Sequence, residues 1–321
     1  RVLHVVEASF AGVGRHVLDL VEGLGPLGVE NQLAYSPTRA SGMFTKRLED
    51  LRDLGAVECH PIVMTRAPSP VQLAAVRSLR GLVTSMDIDL IHGHSSGGGQ
   101  VARLVGSLTG RPSVFTPNAF LTLQTDVPPM QALAYRSVER ALRRTTGALI
   151  CVSPEELRHA RAQKYAPTRS VVIQNGIETS PPGPADERLL ARFPDDPAVR
   201  IIGFVGRLDH QKRPDLLLAA FAHLVGQVAD TKIHLVMVGT GRLEAELHQM
   251  GDALGIADKI SWLGEQDGAS LMPSFDVVAV PSGYEGFPYV VSEALRAGTP
   301  VVASTQVPTE SFGPAPTGVT V

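Results

Sequence analysis

Residues 276–303 read DVVAVPSGYEGFPYVVSEALRAGTPVVA. An apolar run at 276–280 is followed by a loop rich in proline and glycine, a stretch of helical period, and a second apolar run at 299–303. Short apolar runs separated by helices are typical of parallel strands that are buried on both faces. The stretch therefore predicts one β–α–β unit of a parallel sheet.

The same alternation extends over the whole chain. In the first half we predict strands at 2–6, 30–35, 90–92, 113–115, 148–152 and 170–173, with helices that include 15–24 and 130–144. In the second half we predict strands at 200–205, 232–238, 259–263, 276–280 and 299–303. The fold class is α/β, with two doubly wound Rossmann-like domains at 1–177 and 198–321. Residues 178–197 are crowded with prolines and are predicted to be the linker.

The composition excludes several classes of function. Lys plus Arg number 29 and Asp plus Glu number 32, a net charge of −3, which argues against a nucleic-acid partner. The two cysteines, Cys59 and Cys151, do not suggest a disulfide framework and favour a reducing compartment. No apolar stretch approaches the roughly 18 residues of a membrane span, and Arg1 leads directly into a strand without a visible signal peptide. We expect a cytoplasmic protein.

Two glutamates of the opening stretch are candidate sugar-binding residues. Glu285 follows a strand, and Glu293 lies eight positions further, on the next helix. Pro288 fits a first helical position, so we predict that this helix begins near Gly286 or Phe287. Free N–H groups there would bind a phosphate, and the carboxylates would accept hydrogen bonds from sugar hydroxyls in an open cleft. Glutamates that only complement the helix dipole are the alternative.

A second pair of candidates follows the first strand of the second half. Arg207 and Lys212 are five residues apart and can supply two positive charges to a diphosphate leaving group, so a metal ion is dispensable. The alternative is that Arg207 pairs with Asp209 while Lys212 is merely solvated.

Glycines after two strands are candidates for close contact with a phosphate or a sugar. Gly12 and Gly14 lie in a loop before the first helix, and Gly239 and Gly241 follow a strand of the second half. The third glycine of a dinucleotide fingerprint would fall on Val17, so a nicotinamide cofactor is not supported. Turn chemistry is the alternative for Gly239 and Gly241.

The sequence IHGHSSGGGQ at 91–100 provides a candidate in the first domain. His92 and His94 share a face if the strand continues, and the serines and glycines after them predict a flexible start of the next helix. The lysine of a phosphate-binding P-loop is missing. Two histidines without a third ligand are weak evidence for a metal, so we predict no metal site and place His94 in the wall of an acceptor pocket.

These motifs resemble family 4 of the retaining glycosyltransferases, which have the GT-B fold. The resemblance rests on GRLDHQKRP at 206–214, VGTG at 238–241, EGFPYVVSEA at 285–294, GTPVVA at 298–303, AGVGRHV at 11–17 and NGI at 175–177. It implies a metal-independent enzyme without a cofactor, which transfers a sugar from a nucleotide diphosphate to a hydroxyl acceptor in polysaccharide or glycolipid assembly. The N-terminal domain would face the acceptor across a cleft, and the C-terminal domain would bind the donor.

The resemblance also implies roles for the candidate residues. Glu285 would hold hydroxyls of the donor sugar and Glu293 the ribose of the nucleotide, while Arg207 and Lys212 would bind the departing diphosphate. Gly12 and Gly14 would contact the donor phosphates from the other domain.

The sequence departs from the family at two places. Asn118 stands where many members carry a histidine, and an amide cannot act as a base. His94 is therefore the candidate that positions the acceptor. The helices that complete the second domain of other members are absent after 317–321, so we expect a truncated domain.

A sugar-nucleotide epimerase of GT-B build and a non-catalytic sugar-nucleotide-binding module are the alternative functions.

A basic helix predicts a further partner. Arginines recur at helical spacing within the helix at 130–144, namely Arg136, Arg140, Arg143 and Arg144. Such a helix can contact anionic lipid, which would bring the protein to the inner face of the membrane; a solvated face is the alternative.

Overall fold

The protein consists of two compact units, Arg1–Asn175 and Gly176–Val321, called unit 1 and unit 2 below. The computed structural model describes residues 1–65, 69–123, 127–180, 183–191, 199–228 and 232–313, and the backbone of 318–320. Each unit contains one parallel sheet with helices packed on both faces, which confirms the predicted fold class.

Unit 1 is built on a sheet of seven strands. These are β1 (Val2–Val6), β2 (Asn31–Tyr35), β3 (Val57–Pro61), β4 (Leu90–His94), β5 (Ser113–Thr116), β6 (Ala148–Cys151) and β7 (Ser170–Val172). The helices are α1 (Ala11–Leu24), α2 (Gly42–Asp53), α3 (Pro70–Ser85), α4 (Ser95–Thr109), α5 (Pro129–Leu142) and α6 (Pro154–Ala162). The strand order is β3-β2-β1-β4-β5-β6-β7.

Unit 2 is built on a sheet of six strands. These are β8 (Arg200–Val205), β9 (Ile233–Val238), β10 (Ile260–Gly264), β11 (Val277–Val280), β12 (Val301–Ala303) and β13 (Gly318–Thr320). The helices are α7 (Glu187–Leu190), α8 (Pro214–Gln227), α9 (Glu244–Ala253), α10 (Gly268–Leu271) and α11 (Tyr289–Arg296). The strand order is β10-β9-β8-β11-β12-β13.

Each sheet reverses its strand order at one place. In unit 1 the reversal lies between β1 and β4, and in unit 2 between β8 and β11. The chain leaves the two strands at such a switch point in opposite directions, so a crevice opens beyond their carboxyl ends, where ligands of this fold class bind. The two switch points therefore mark the places to search for a site.

Glycines bring α4 into direct contact with the sheet of unit 1. A Cβ atom at Gly98 would lie 2.5 Å from the carbonyl oxygen of Val5, and one at Gly99 would lie 2.2 Å from Cε2 of Phe115. These glycines are buried inside the first turns of α4. The predicted flexible start of this helix is therefore wrong, because the residues are needed for close packing.

An ion pair is buried where α4 packs against α5. The guanidinium of Arg103 donates two hydrogen bonds to the carboxylate of Glu139, at 2.8 and 3.0 Å, and lies over the ring of Phe115. Both charged side chains are almost completely buried. The paired geometry satisfies two charges that would each be costly to bury alone.

The starts of two helices and the presence of one strand differ from the sequence predictions. Helix α1 begins at Ala11, so Gly12 and Gly14 lie in its first turn instead of a preceding loop. Helix α11 begins only at Tyr289, because Pro288 has extended backbone angles and caps the helix. Strand β3 was not predicted, because its sequence VECHP alternates with polar residues at the edge of the sheet.

The predicted linker contains a structured segment. Within 178–197, helix α7 places Leu189 in the core of unit 2, and the N–H of Asp186 donates to Oγ of Ser274 at 2.7 Å. Residues 181–182 and 192–198 of this segment lie outside the described residues.

Candidate functional site

Two loops meet at the switch point of unit 2. One follows β8 and carries Gln211 and Lys212, and the other follows β11 and carries Gly283 to Glu285. The N–H of Gly283 donates to the carbonyl oxygen of Gln211 at 2.8 Å, and Nε2 of Gln211 donates to the carbonyl oxygen of Tyr284 at 3.3 Å. These bonds hold the two loops in one fixed arrangement.

An ion pair joins the same loops. Nζ of Lys212 lies 2.5 Å from Oε1 of Glu285, and the side chains are 17% and 6% exposed. The carboxylate is therefore buried beside its partner, and is less open to solvent than the sequence analysis expected. A charge pair with little water around it interacts more strongly than one at the surface. The structure thus brings two of the predicted site residues into direct contact.

Arg207 lies in the loop after β8 but is held by its own neighbours. Its guanidinium contacts Oδ2 of Asp209 at 2.5 Å and donates to Oε1 of Gln211 at 2.7 Å. Asp209 also accepts hydrogen bonds from the N–H groups of Gln211 and Lys212 through Oδ1, at 3.1 and 3.2 Å. The pairing with Asp209 named as the alternative is therefore present, and it fixes the turn that carries both cations.

The remaining candidates of the paired-glutamate stretch lie around the start of α11. Gly286 is buried and Phe287 half-buried in the segment before the helix, and Glu293 is buried on its second turn. The helix begins later than predicted, so its first turn starts at Tyr289, after Pro288.

Gly239 and Gly241 pack closely against the backbone of the loop after β8. A Cβ atom at Gly239 would lie 2.0 Å from the carbonyl oxygen of Gly206, and one at Gly241 would lie 2.4 Å from that of Leu208. Gly239 also has a φ of 130°, which side-chain-bearing residues rarely adopt. Backbone packing therefore requires both glycines, whatever ligand they meet.

The switch point of unit 1 contains Gly12, Gly14 and His94. Gly12 is exposed in the first turn of α1, while Gly14 is buried, and its Cβ position lies 3.0 Å from the carbonyl group of Ser9. His94 ends β4 and caps α4. Four buried side-chain atoms in this region have no hydrogen-bond partner among the described residues: Ser9 Oγ, His16 Nε2, His94 Nδ1 and Ser95 Oγ.

A third histidine joins the two that the sequence analysis singled out. His4 on β1 lies opposite His92 on β4, and its Nδ1 is 3.1 Å from Nε2 of His94. All three are buried, and burial lowers their pKa values, that of His4 to about 4. Their ring nitrogens lie within 4.8 Å of one another, so they could hold a metal ion. The histidine within the apolar run of β1 was the signal that the sequence analysis missed.

The loop after β5 is held by a carboxylate that the sequence analysis also missed. Glu156 on α6 accepts hydrogen bonds from the N–H groups of Ala119 and Val152, at 2.6 and 2.8 Å. Burial raises the pKa of Glu156 to about 7, although both bonds act in the opposite direction. Asn118, with a φ of 52°, presents a buried Nδ2 without a partner among the described residues.

The predicted basic face of α5 is exposed. The helix ends at Leu142, earlier than predicted; Arg136 and Arg140 on α5, and Arg143 and Arg144 in the turn after it, are all exposed. Among the described residues, no helix has the length and apolar character needed to cross a membrane.

Two doubly wound units, each with polar residues at its switch point, define an α/β protein of the GT-B class. Residues 11–176 match the family model described as glycosyl transferase 4-like domain, and residues 188–321 match glycosyl transferases group 1. The chain belongs to the glycosyl transferase 4-like family and is a glycosyltransferase.

Named relatives agree with this assignment. The chain is 28% identical to a D-inositol 3-phosphate glycosyltransferase of Corynebacterium aurimucosum, over 91% of this chain and 74% of the relative. A protein of the same name from Mycolicibacterium gilvum is 32% identical over 67% of this chain and 51% of the relative.

Solved structures share the fold. HepE of Anabaena in complex with UDP is similar over 100% of this chain and 85% of HepE, with a TM-score of 0.74 and 22% identity. Sucrose-phosphate synthase of Thermosynechococcus elongatus is similar over 100% of this chain and 86% of that protein, with a TM-score of 0.75 and 20% identity.

Proposed function

We propose that the protein transfers a sugar from a nucleotide diphosphate to a hydroxyl group of an acceptor, with retention of the anomeric configuration and without a metal ion. The observation that carries this proposal is the ion pair between Lys212 and Glu285 at the switch point of unit 2. The ammonium can donate hydrogen bonds to a phosphate, and the carboxylate beside it can accept hydrogen bonds from sugar hydroxyls. HepE binds UDP and UDP-glucose in its crystal structures, so UDP-sugars are the first donors to test.

The two cations would stabilise the leaving group. The bond between the sugar carbon and the phosphate oxygen breaks, and negative charge develops on the diphosphate. The ammonium of Lys212 has three N–H donors and can contact the diphosphate while it stays beside Glu285. Arg207, oriented by Asp209 and Gln211, would provide a second cation. The acceptor oxygen forms the new bond, and its proton passes to the departing phosphate oxygen, so no protein base is required.

The rest of the donor would be bound by acceptors and backbone N–H groups. Glu285 would accept hydrogen bonds from sugar hydroxyls and Glu293 from the ribose. Gly286 and Phe287, in the segment before α11, would lie beside the diphosphate. Gly239 and Gly241 would act through the loop that they support.

Unit 1 would bind the acceptor. Its switch point contains buried polar atoms that lack partners among the described residues, among them Nδ1 of His94, and the loop after β5 adds the amide of Asn118. The relative from Corynebacterium aurimucosum is named for an inositol phosphate, a polyol, which supports a hydroxyl-rich acceptor. The exposed arginines of α5 and of the turn after it would hold the enzyme at anionic lipid on the inner face of the membrane, in glycolipid or polysaccharide assembly.

The test combines purified protein, EDTA and a panel of UDP- and GDP-sugars with D-inositol 3-phosphate and lipid-linked acceptors. We expect transfer from an α-linked donor to give an α-linked product, identified by NMR of the anomeric proton. A β-linked product contradicts retention, and activity that EDTA abolishes contradicts metal independence. An isomerised donor sugar in the absence of acceptor would show an epimerase. Donor binding without any turnover would show a binding module.

A further inference from the structure

A column of polar side chains runs from the switch point of unit 1 into its interior. His4 and His92 are paired in the register of β1 and β4, and His94 follows two residues later on the same face of the sheet. Asn31 on β2 lies at the inner end of the column, with Oδ1 3.4 Å from Nε2 of His4. All four residues are buried.

The orientation of the Asn31 amide is determined by its surroundings. Its nitrogen lies 3.0 Å from the carbonyl oxygen of Val21 and 3.4 Å from that of Val29. A reversed amide would place its oxygen against two other oxygens, so Oδ1 is the atom that faces His4. An amide oxygen can only accept a hydrogen bond, and Nε2 of His4 must therefore carry a proton.

The proton on His4 determines the state of His94. Burial keeps both imidazoles neutral at neutral pH, so each ring has one protonated nitrogen. Nδ1 of His4 is consequently bare and accepts a hydrogen bond from Nε2 of His94, 3.1 Å away. Nδ1 of His94 is then bare as well. This nitrogen is buried and has no donor among the described residues.

A further imidazole lies beside His94. The ring of His16 packs edge-on against His94, with centroids 5.4 Å apart, and Nδ1 of His16 lies 3.0 Å from Oδ1 of Asn175. Nε2 of His16 is also buried without a partner in the described part of unit 1. A ligand that satisfies Nδ1 of His94 must bring a hydrogen-bond donor such as a hydroxyl group.

We propose that Asn31 and His4 are positioning residues that hold His94 in the Nε2–H tautomer, so that Nδ1 of His94 accepts a hydrogen bond from a hydroxyl group of the acceptor. This inference rests on the proposed function. A metal ion held by His4, His92 and His94 is the competing interpretation of the cluster. It would require the facing nitrogens of His4 and His94 both to be bare, which would move the proton of His94 to Nδ1, where the described residues offer no acceptor.

Two substitutions at one position separate positioning from structure. In His4→Gln, the new amide can donate to Asn31 and accept from His94, which preserves the direction of both hydrogen bonds. In His4→Leu both bonds are lost, and His94 is free to place its proton on either nitrogen. We expect His4→Leu to raise KM for D-inositol 3-phosphate about tenfold, the loss of roughly one hydrogen bond, and His4→Gln to stay near the parent. Hydrolysis of the donor without acceptor should be equal in all three.

The tautomers can be observed directly in the full chain by ¹H–¹⁵N correlation of labelled imidazoles at neutral pH. In the parent we expect the proton on Nε2 of both His4 and His94. In His4→Gln we expect His94 to keep its proton on Nε2, and in His4→Leu we expect a mixture of the two tautomers for His94. A parent His94 with its proton on Nδ1, or a His4→Leu variant with unchanged tautomer and unchanged KM, overturns the inference. Saturable ligation of Co²⁺ by these rings also overturns it. A parent with the expected tautomers that transfers no sugar contradicts the proposed function instead.

Discussion

Acidification should destabilise unit 1 through its buried histidines. His4 has a pKa of about 4 in the folded chain against 6.5 when unfolded, because burial disfavours the charged ring. Below pH 6.5 the unfolded chain binds a proton that the folded chain does not, so stability falls as pH falls, until the folded pKa is reached. At about 1.4 kcal/mol per pH unit, His4 alone removes about 2 kcal/mol between pH 6.5 and 5. The pKa values of His92 and His94 are lowered in the same direction and add to the loss.

The assay is urea unfolding of the full chain at pH 7 and pH 5. Fluorescence of Trp262, the single tryptophan, follows unit 2, while circular dichroism follows both units, so the transition seen only by dichroism belongs to unit 1. His4→Gln keeps the hydrogen bonds and removes the titration, so its loss between the two pH values should be smaller by about 2 kcal/mol. The reasoning is refuted if the parent and His4→Gln lose the same free energy of unfolding.

Two further predictions concern packing in unit 1. Glu139→Leu should destabilise unit 1 by about 3–5 kcal/mol, because Arg103 is left as an unpaired buried charge, whereas the double variant Arg103→Met, Glu139→Leu should have a stability near that of the parent. Urea unfolding at neutral pH measures both variants, and equal losses of stability would contradict the buried pair. Gly99→Ala should cost about 1–3 kcal/mol because its Cβ would overlap the ring of Phe115, while Gly81→Ala, on α3 with nothing within 4 Å, should be neutral or stabilising. Thermal unfolding checks this pair, and similar shifts for both would contradict it.

Strand and helix periodicity predicted the architecture because buried parallel strands are recognisable as short apolar runs. The edge strand β3 was missed since its alternating polar residues do not form such a run. Element starts were less accurate, as Pro288 shows: a proline tolerated at the first helical position is also suited to the extended cap that it forms here.

The sequence suggested candidate site residues where they belong to a loop motif. Lys212 and Glu285 are 73 positions apart, and their contact follows from the adjacency of β8 and β11, which the sequence did not reveal. His4 and Glu156 were missed for a related reason. A single polar residue in an apolar run or on a helix acquires its role only through neighbours that the sheet order brings beside it.

The central claim is that Glu285 binds the donor sugar within a preformed ion pair. Glu285→Gln keeps the shape of the side chain and leaves Lys212 able to reach water, and Glu265→Gln is the matched control at an exposed glutamate of the same unit. We predict that the initial rate of transfer from the nucleotide sugar falls by about 100-fold or more in Glu285→Gln, measured well below the Tm of the variant, while the control retains parent activity. A transfer rate close to that of the parent, or a rate that falls only in parallel with Tm, would contradict the account.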